Sequence, residues 1–176
     1  FATQGVSIFD ADIAARAVVK PGQIALKDIT QRYGSKILLN NGSLDRKQLR
    51  SIIFKNTAER TWLEKLLPPK IRTLLQQQLL TASSPYAILS LPLMPDATQY
   101  PFIDRVLVID VPIITQIIRT VVRDDIPEKQ VLRIIKSQPS REHRLTFAND
   151  IVDNSGSLGE LHKALITLHQ RYLLLA

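Results

Sequence analysis

Val106-Leu107-Val108-Ile109 is an unbroken apolar run, opened by Arg105 and closed by Asp110. A strand with one wet face alternates in polarity, so a run without alternation predicts a strand covered on both faces, as in a parallel sheet. Tyr86 to Leu91 has the same character and ends at Pro92, a residue that belongs at strand margins. Val6 to Phe9 and the short Ile151-Val152 supply two further strands. Helical patterns lie between them, at Ala11 to Val19, Gln23 to Tyr33, Glu128 to Lys136 and Leu158 to Leu175. Strands alternating with helices give an α/β fold, and in such sheets ligands bind at the carboxyl ends of the strands.

Acids stand at those ends. Val6 to Phe9 runs into Asp10 and Asp12, and a helix begins at once. Asp10 suits the cap of that helix, since Asp is a preferred residue there. Asp12 sits too far in to be the cap as well, which leaves it to take a proton from a hydroxyl or to face a metal. Asp96 follows the second strand at a similar place.

Ser43 to Ser84 carries only helical patterns, expected over 43–54, 57–67 and 70–81, with Pro68-Pro69 breaking the run. It is dense in Arg46, Lys47, Arg50, Lys55, Arg60, Lys65, Lys70 and Arg72, and reads as an all-helical insert between two strands. After Pro112, Ile114, Ile117, Ile118 and Val121 fall on one helix face, with Arg119 and Arg123 opposite. Together with Ser140-Arg141-Glu142-His143-Arg144 this makes an arginine-rich helical hairpin beside the sheet. Leu161, Leu165 and Leu168 are expected to face inward from the last helix.

The net charge of +7 points to anionic partners, while an aromatic content of 6% argues against a stacking platform for single strands. Phosphate-rich small molecules are favoured over nucleic acid. With no cysteine, thiolate metal sites and thiol nucleophiles are excluded, and a reducing cytoplasm is the expected setting. No apolar run reaches the roughly 18 residues that span a bilayer, and no signal-peptide pattern opens the chain, so no membrane role is expected. Acids at strand ends beside arginines suit phosphoryl transfer, where the protein chiefly positions groups and neutralises charge. A Gly-rich phosphate loop of the Walker type is absent from these residues. On the residues alone, a kinase for a small hydroxyl acceptor such as a nucleotide and a non-catalytic basic binding protein both stay open.

An ordered set of motifs resembles the dephospho-coenzyme A kinase family over nearly the whole chain. It comprises Phe9-Asp10-Ala11-Asp12-Ile13-Ala14-Ala15-Arg16, Gly42-Ser43-Leu44-Asp45-Arg46 with Leu49-Arg50, and Thr81-Ala82-Ser83-Ser84-Pro85-Tyr86. It continues through Arg105 to Val111, Arg123-Asp124, Gln138-Pro139-Ser140-Arg141 and Asp150 to Ser157. The resemblance implies a three-layer P-loop kinase fold with a parallel sheet, an inserted helical substrate domain and a helical lid. Residues 1–42, 84–118 and 149–176 would form the kinase core, 43–83 the coenzyme A-binding insert, and 119–148 the arginine-rich lid. It implies transfer of the ATP γ-phosphoryl group, with Mg²⁺, to the ribose 3′-hydroxyl of dephospho-coenzyme A, with no metal ligands assigned in this chain.

Asp12 matches the acid on the acceptor hydroxyl, and Arg119 and Arg141 match lid arginines that approach the phosphates. Asp10, Arg16, Arg46, Arg50 and Asp96 are then expected on the acceptor side, and Arg123, Asn154, Ser155 and Gly156 on the nucleotide side. The chain departs from the family in having Pro68-Pro69 where His-Pro is usual, and Asp96 where the family has Glu. Phe1 to Gly5 reads as the last turn of a helix capped by Gly5, and the family's Walker loop is expected just upstream. A monomer is the expected state.

Overall fold

The computed structural model describes residues 1–92 and 97–176, which fall into two compact units, Ser7–Pro92 and Phe1–Val6 with Leu93–Ala176. Asp96 lies outside the described residues.

In the first unit, β1 (Ser7–Asp10) pairs in parallel with β2 (Ala87–Ser90), with Asp10 opposite Ser90. Between them run α1 (Ala11–Ala17), α2 (Ile24–Tyr33), α3 (Arg46–Lys55) and α4 (Thr57–Leu79). Val18, Val19, Ala25, Leu26, Ile29, Ile37, Leu44 and Leu49 form one buried cluster. Their separations of three and four along α2 put Ala25, Leu26 and Ile29 on one stripe, the pattern of a helix with one covered face. Residues 34–45 turn through a short antiparallel bridge between Leu38 and Leu44, closed at Gly42, whose φ of 75° favours glycine.

The expectation of a break at Pro68-Pro69 is overturned: α4 is a single helix of 23 residues with both prolines inside it. Each proline removes an N–H from the helical ladder and crowds the carbonyl four residues back. The helix continues because Leu63, Leu66, Leu67, Ile71 and Leu74, on either side of the prolines, pack against the buried cluster. Tertiary packing here outweighs a strong local preference.

In the second unit, β3 (Leu107–Asp110) pairs in parallel with β4 (Asp150–Asp153). They are connected through α5 (Ile113–Asp124), α6 (Glu128–Lys136) and α7 (Arg141–Thr146), and α8 (Leu158–Leu173) closes the chain. The expected helix after Pro112 is present, but its covered face differs from the expected one. Ile117 is buried and Val121 half-buried, whereas Ile114 and Ile118 are 62% and 57% exposed. Leu161, Leu165 and Leu168 of α8 are all partly covered, and His169 is buried beside them. Ala2–Gln4 forms one helical turn capped by Gly5 at φ 79°, as its composition suggested.

One buried acid ties this unit together. Asp150 accepts from Arg105 at 3.1 Å, Arg171 at 2.8 Å and the Tyr172 hydroxyl at 2.9 Å. Burial works to raise its pKa, but these donors more than compensate, and the carboxyl stays below its ordinary range. No helix among the described residues is long and apolar enough to cross a membrane.

Candidate active site

The candidate residues are divided between the two units. At the end of β1, Asp10 has extended backbone and caps α1, its carboxylate accepting from the N–H groups of Asp12 at 2.8 Å and Ile13 at 3.1 Å. That satisfies two donors which a helix start would otherwise leave orphaned. Asp12 contributes only its backbone N–H to this arrangement, and its carboxylate remains exposed in the first turn. Arg16, one turn further along α1, is exposed as well.

Arg46 and Arg50 form a separate group in the same unit. Asp45 caps α3 by accepting from Gln48 N–H at 2.9 Å, which fixes where the helix starts. Leu49 then turns into the core while Arg46 and Arg50, four apart, share the exposed face.

In the second unit the strand register sets Asp110 directly beside Asp153. Arg141, first residue of α7, grips Asp110 with Nε at 2.9 Å and Nη2 at 2.5 Å. The Arg141 guanidinium holds the Asp110 carboxyl below its ordinary pKa, against the upward pull of burial. Asp153 is engaged otherwise: it accepts from Ser155 Oγ at 2.7 Å and Ser155 N–H at 2.8 Å, which lowers its pKa too. Arg119 donates to the Asn154 carbonyl at 2.6 Å, so α5 is fastened to the loop after β4. Asn154 N–H in turn donates to the Asp110 carbonyl at 2.7 Å, continuing the ladder one step beyond the strands.

Gly156 stands next to the cap of α8. Ser157 caps α8, and Glu160 reaches back to the Ser157 N–H at 2.8 Å in a capping box. A Cβ at position 156 would stand 2.6 Å from the Glu160 carboxylate oxygen held there.

The structure therefore gathers Arg119, Arg141, Asn154, Ser155 and Gly156 at one end of β3 and β4. Arg123 is paired instead with its neighbour Asp124, through Nε at 2.7 Å and Nη2 at 2.8 Å. The sequence marks Asp110 only as the end of a strand and does not show that it is the partner of Arg141. The available signal was an acid closing a buried strand, but its arginine lies 31 residues away. Among the described residues no group of three or more His, Asp or Glu side chains could hold a metal ion. A cluster of this kind, with arginine donors held by a strand-end carboxylate, can orient phosphate oxygens.

Residues 1–160 match the family model described as CoaE: Dephospho-CoA kinase. The chain belongs to the dephospho-CoA kinase family. It is 46% identical over 176 residues to the dephospho-CoA kinase of Sodalis glossinidius (strain morsitans), covering 100% of this chain and 85% of that protein. It is 44% identical over 173 residues to that of Idiomarina loihiensis, covering 98% and 86%. Among solved structures, a dephospho-CoA kinase from Campylobacter jejuni aligns with a TM-score of 0.71 at 26% identity, over 97% of this chain and 87% of that one. The crystal structure of TT1252 from Thermus thermophilus aligns at a TM-score of 0.77 with 22% identity, over 97% and 86%, a likeness of fold. The α/β architecture with parallel strands is thus that of the P-loop kinases in this family.

Proposed function

We infer that this chain is an ATP-dependent dephospho-CoA kinase that transfers the γ-phosphoryl group of MgATP to the ribose 3′-hydroxyl of dephospho-coenzyme A. The observation that carries the reading, in a member of this family, is the division of labour at the end of β1. Asp10 is occupied by the helix cap, and Asp12 is left with an exposed carboxylate. In the proposed mechanism Asp12 orients the acceptor hydroxyl and takes its proton as the oxygen bonds to the γ-phosphorus, while the bond from that phosphorus to the β,γ-bridging oxygen breaks and ADP leaves. Arg119 and Arg141 bind phosphate oxygens and offset the charge spreading over them, as planar guanidinium groups do well. Asn154, Ser155 and Gly156 border the nucleotide, with Arg123 beside it. Arg16, Arg46, Arg50 and Asp96 serve the acceptor, whose other phosphates suit the basic insert over 43–83. Mg²⁺ arrives with the nucleotide, since it is usually held by phosphates, waters and one or two carboxylates.

The test is an assay of the native protein with MgATP and a panel of acceptors. Phosphorylation of dephospho-coenzyme A at the 3′-hydroxyl is expected, with nucleoside monophosphates left unmodified. A preference for a nucleoside monophosphate would replace this reading with that of a nucleotide kinase.

A further inference from the structure

Arg141 has five N–H donors in a rigid fork, and Asp110 takes only one side of it, through Nε and Nη2. The Nη1 group has no hydrogen-bond partner among the described residues, and the Arg141 side chain is 37% exposed while that of Asp110 is 12% exposed. The carboxylate is therefore the covered anchor and the arginine the more exposed partner. The neighbouring Asp153 takes its hydrogen bonds from Ser155 and acts on Arg141 only through its charge, so among the described residues Asp110 alone grips the fork. Arg141 begins α7 and is fixed only by what it grips across the unit, so without Asp110 its long side chain would sample many rotamers.

We propose that Asp110 is a positioning residue of the phosphoryl transfer: by gripping the Nε–Nη2 side of Arg141 it presents the Nη1 edge, oriented, to a phosphate of the nucleotide. This rests on the reading of Arg141 as a phosphate ligand. A guanidinium can bond a carboxylate and a phosphate at once on different edges, which an ammonium cannot imitate with the same geometry. Asp110 touches neither substrate; its contribution is entropic and geometric, holding one donor pair in place before the nucleotide arrives.

Steady-state kinetics and thermal unfolding of Asp110→Asn, Asp110→Glu, Arg141→Ala and the double variant Asp110→Asn/Arg141→Ala decide it. Asp110→Asn is expected to lower kcat/KM for ATP by about 10- to 100-fold, the usual cost of removing a supporting partner, with KM for dephospho-coenzyme A unchanged. Asp110→Glu, which keeps the charge but shifts the grip by one methylene, should fall between it and the wild type, and it carries the test if Asp110→Asn does not fold. In the Arg141→Ala background the Asp110 substitution should add no further loss, because there is nothing left to position. Losses that multiply in the double variant, or a lowered Tm with normal kcat/KM for ATP, would show a merely structural pair and overturn the proposal. Full activity of Arg141→Ala would instead remove the reading of Arg141 itself, and that failure is visible in the single variant alone.

Discussion

Asp10 and Asp12 stand two residues apart and differ because the strand stops between them. Asp10 has the extended backbone of the strand, so its carboxylate can fold over the first N–H groups of α1; Asp12 is already helical and points its carboxylate outward. Asp12→Asn keeps shape and helix propensity but cannot accept a proton. It is expected to lower kcat by about 10²- to 10⁴-fold, the range for general-base catalysis, with Tm unchanged. Asp10→Asn retains a good cap and should cost less than about 1 kcal/mol, while Asp10→Ala should cost about 1 kcal/mol. Measuring kcat and Tm for all three separates the roles. An Asp12→Asn protein with near-normal kcat would rule out Asp12 as the base, and equal losses in both Asn variants, relieved by added Mg²⁺, would place both acids on the metal.

At the scale of elements, local signals were readable wherever a segment's own residues decide its state. The strands over 7–10, 87–90 and 107–110 were legible from their apolar runs, and the start of α1 from Asp10. What could not be read is set by partners far along the chain. Pro68-Pro69 spelled a break, yet the decision belongs to the cluster around Ile29 and Ile37, which covers both halves of α4. The same holds for α5, where the period gave a helix but only Ile117 meets enough of its unit to be buried. Among the proposed site residues, Asp12 and Arg141 are marked in the sequence by motif alone, while the grip of Asp110 on Arg141 depends on α7 returning beside β3.

The prolines make the energetic claim testable. Pro costs about 3 kcal/mol relative to Ala in a helix interior, so α4 carries a penalty that packing offsets. Pro69 is exposed, so replacing it leaves the packed face intact. Pro69→Ala is expected to raise stability by about 1–3 kcal/mol, less whatever the freer unfolded chain gains. Denaturant unfolding measures it, and a lower midpoint would mean that the packing of α4 requires the proline's bend.

Across the whole molecule, each compact unit is tied by a cluster of the same composition: a carboxylate, a tyrosine and arginine. In the first unit Glu59 of α4 accepts from Arg32 of α2 at 2.6 and 2.9 Å and from the Tyr33 hydroxyl at 2.6 Å, with Arg32 also lying 4.5 Å from the centre of the Trp62 ring. In the second unit Asp150 takes the part of Glu59, with Tyr172, Arg105 and Arg171. The hydrogen bonds from Arg32, and then from Tyr33, hold the Glu59 carboxyl at about 2. Burial, and then the bond to the carboxylate, pushes Tyr33 up to about 12, and Tyr172 likewise to about 12.

A carboxyl whose folded pKa is depressed stabilises the fold above its ordinary value of about 4 and loses that contribution as pH falls through the folded value. A tyrosine whose folded pKa is raised stabilises below its ordinary value of about 10 and loses that contribution as pH climbs through the folded one. Tm should therefore be level through the neutral range, fall from about pH 4.5 towards 2, and fall again from about pH 10 towards 12. Glu59→Gln should make the acid limb shallower, the rest of it coming from Asp150, Asp110 and Asp153, and Tyr33→Phe combined with Tyr172→Phe should make the alkaline limb shallower. Asp150→Asn should lower stability at neutral pH as well, by about 1.5–3 kcal/mol, because it weakens hydrogen bonds to a charged group that is almost wholly buried. A wild-type Tm that stays level from pH 5 to pH 2 would mean that neither carboxylate is tied more tightly in the folded chain than in the unfolded one.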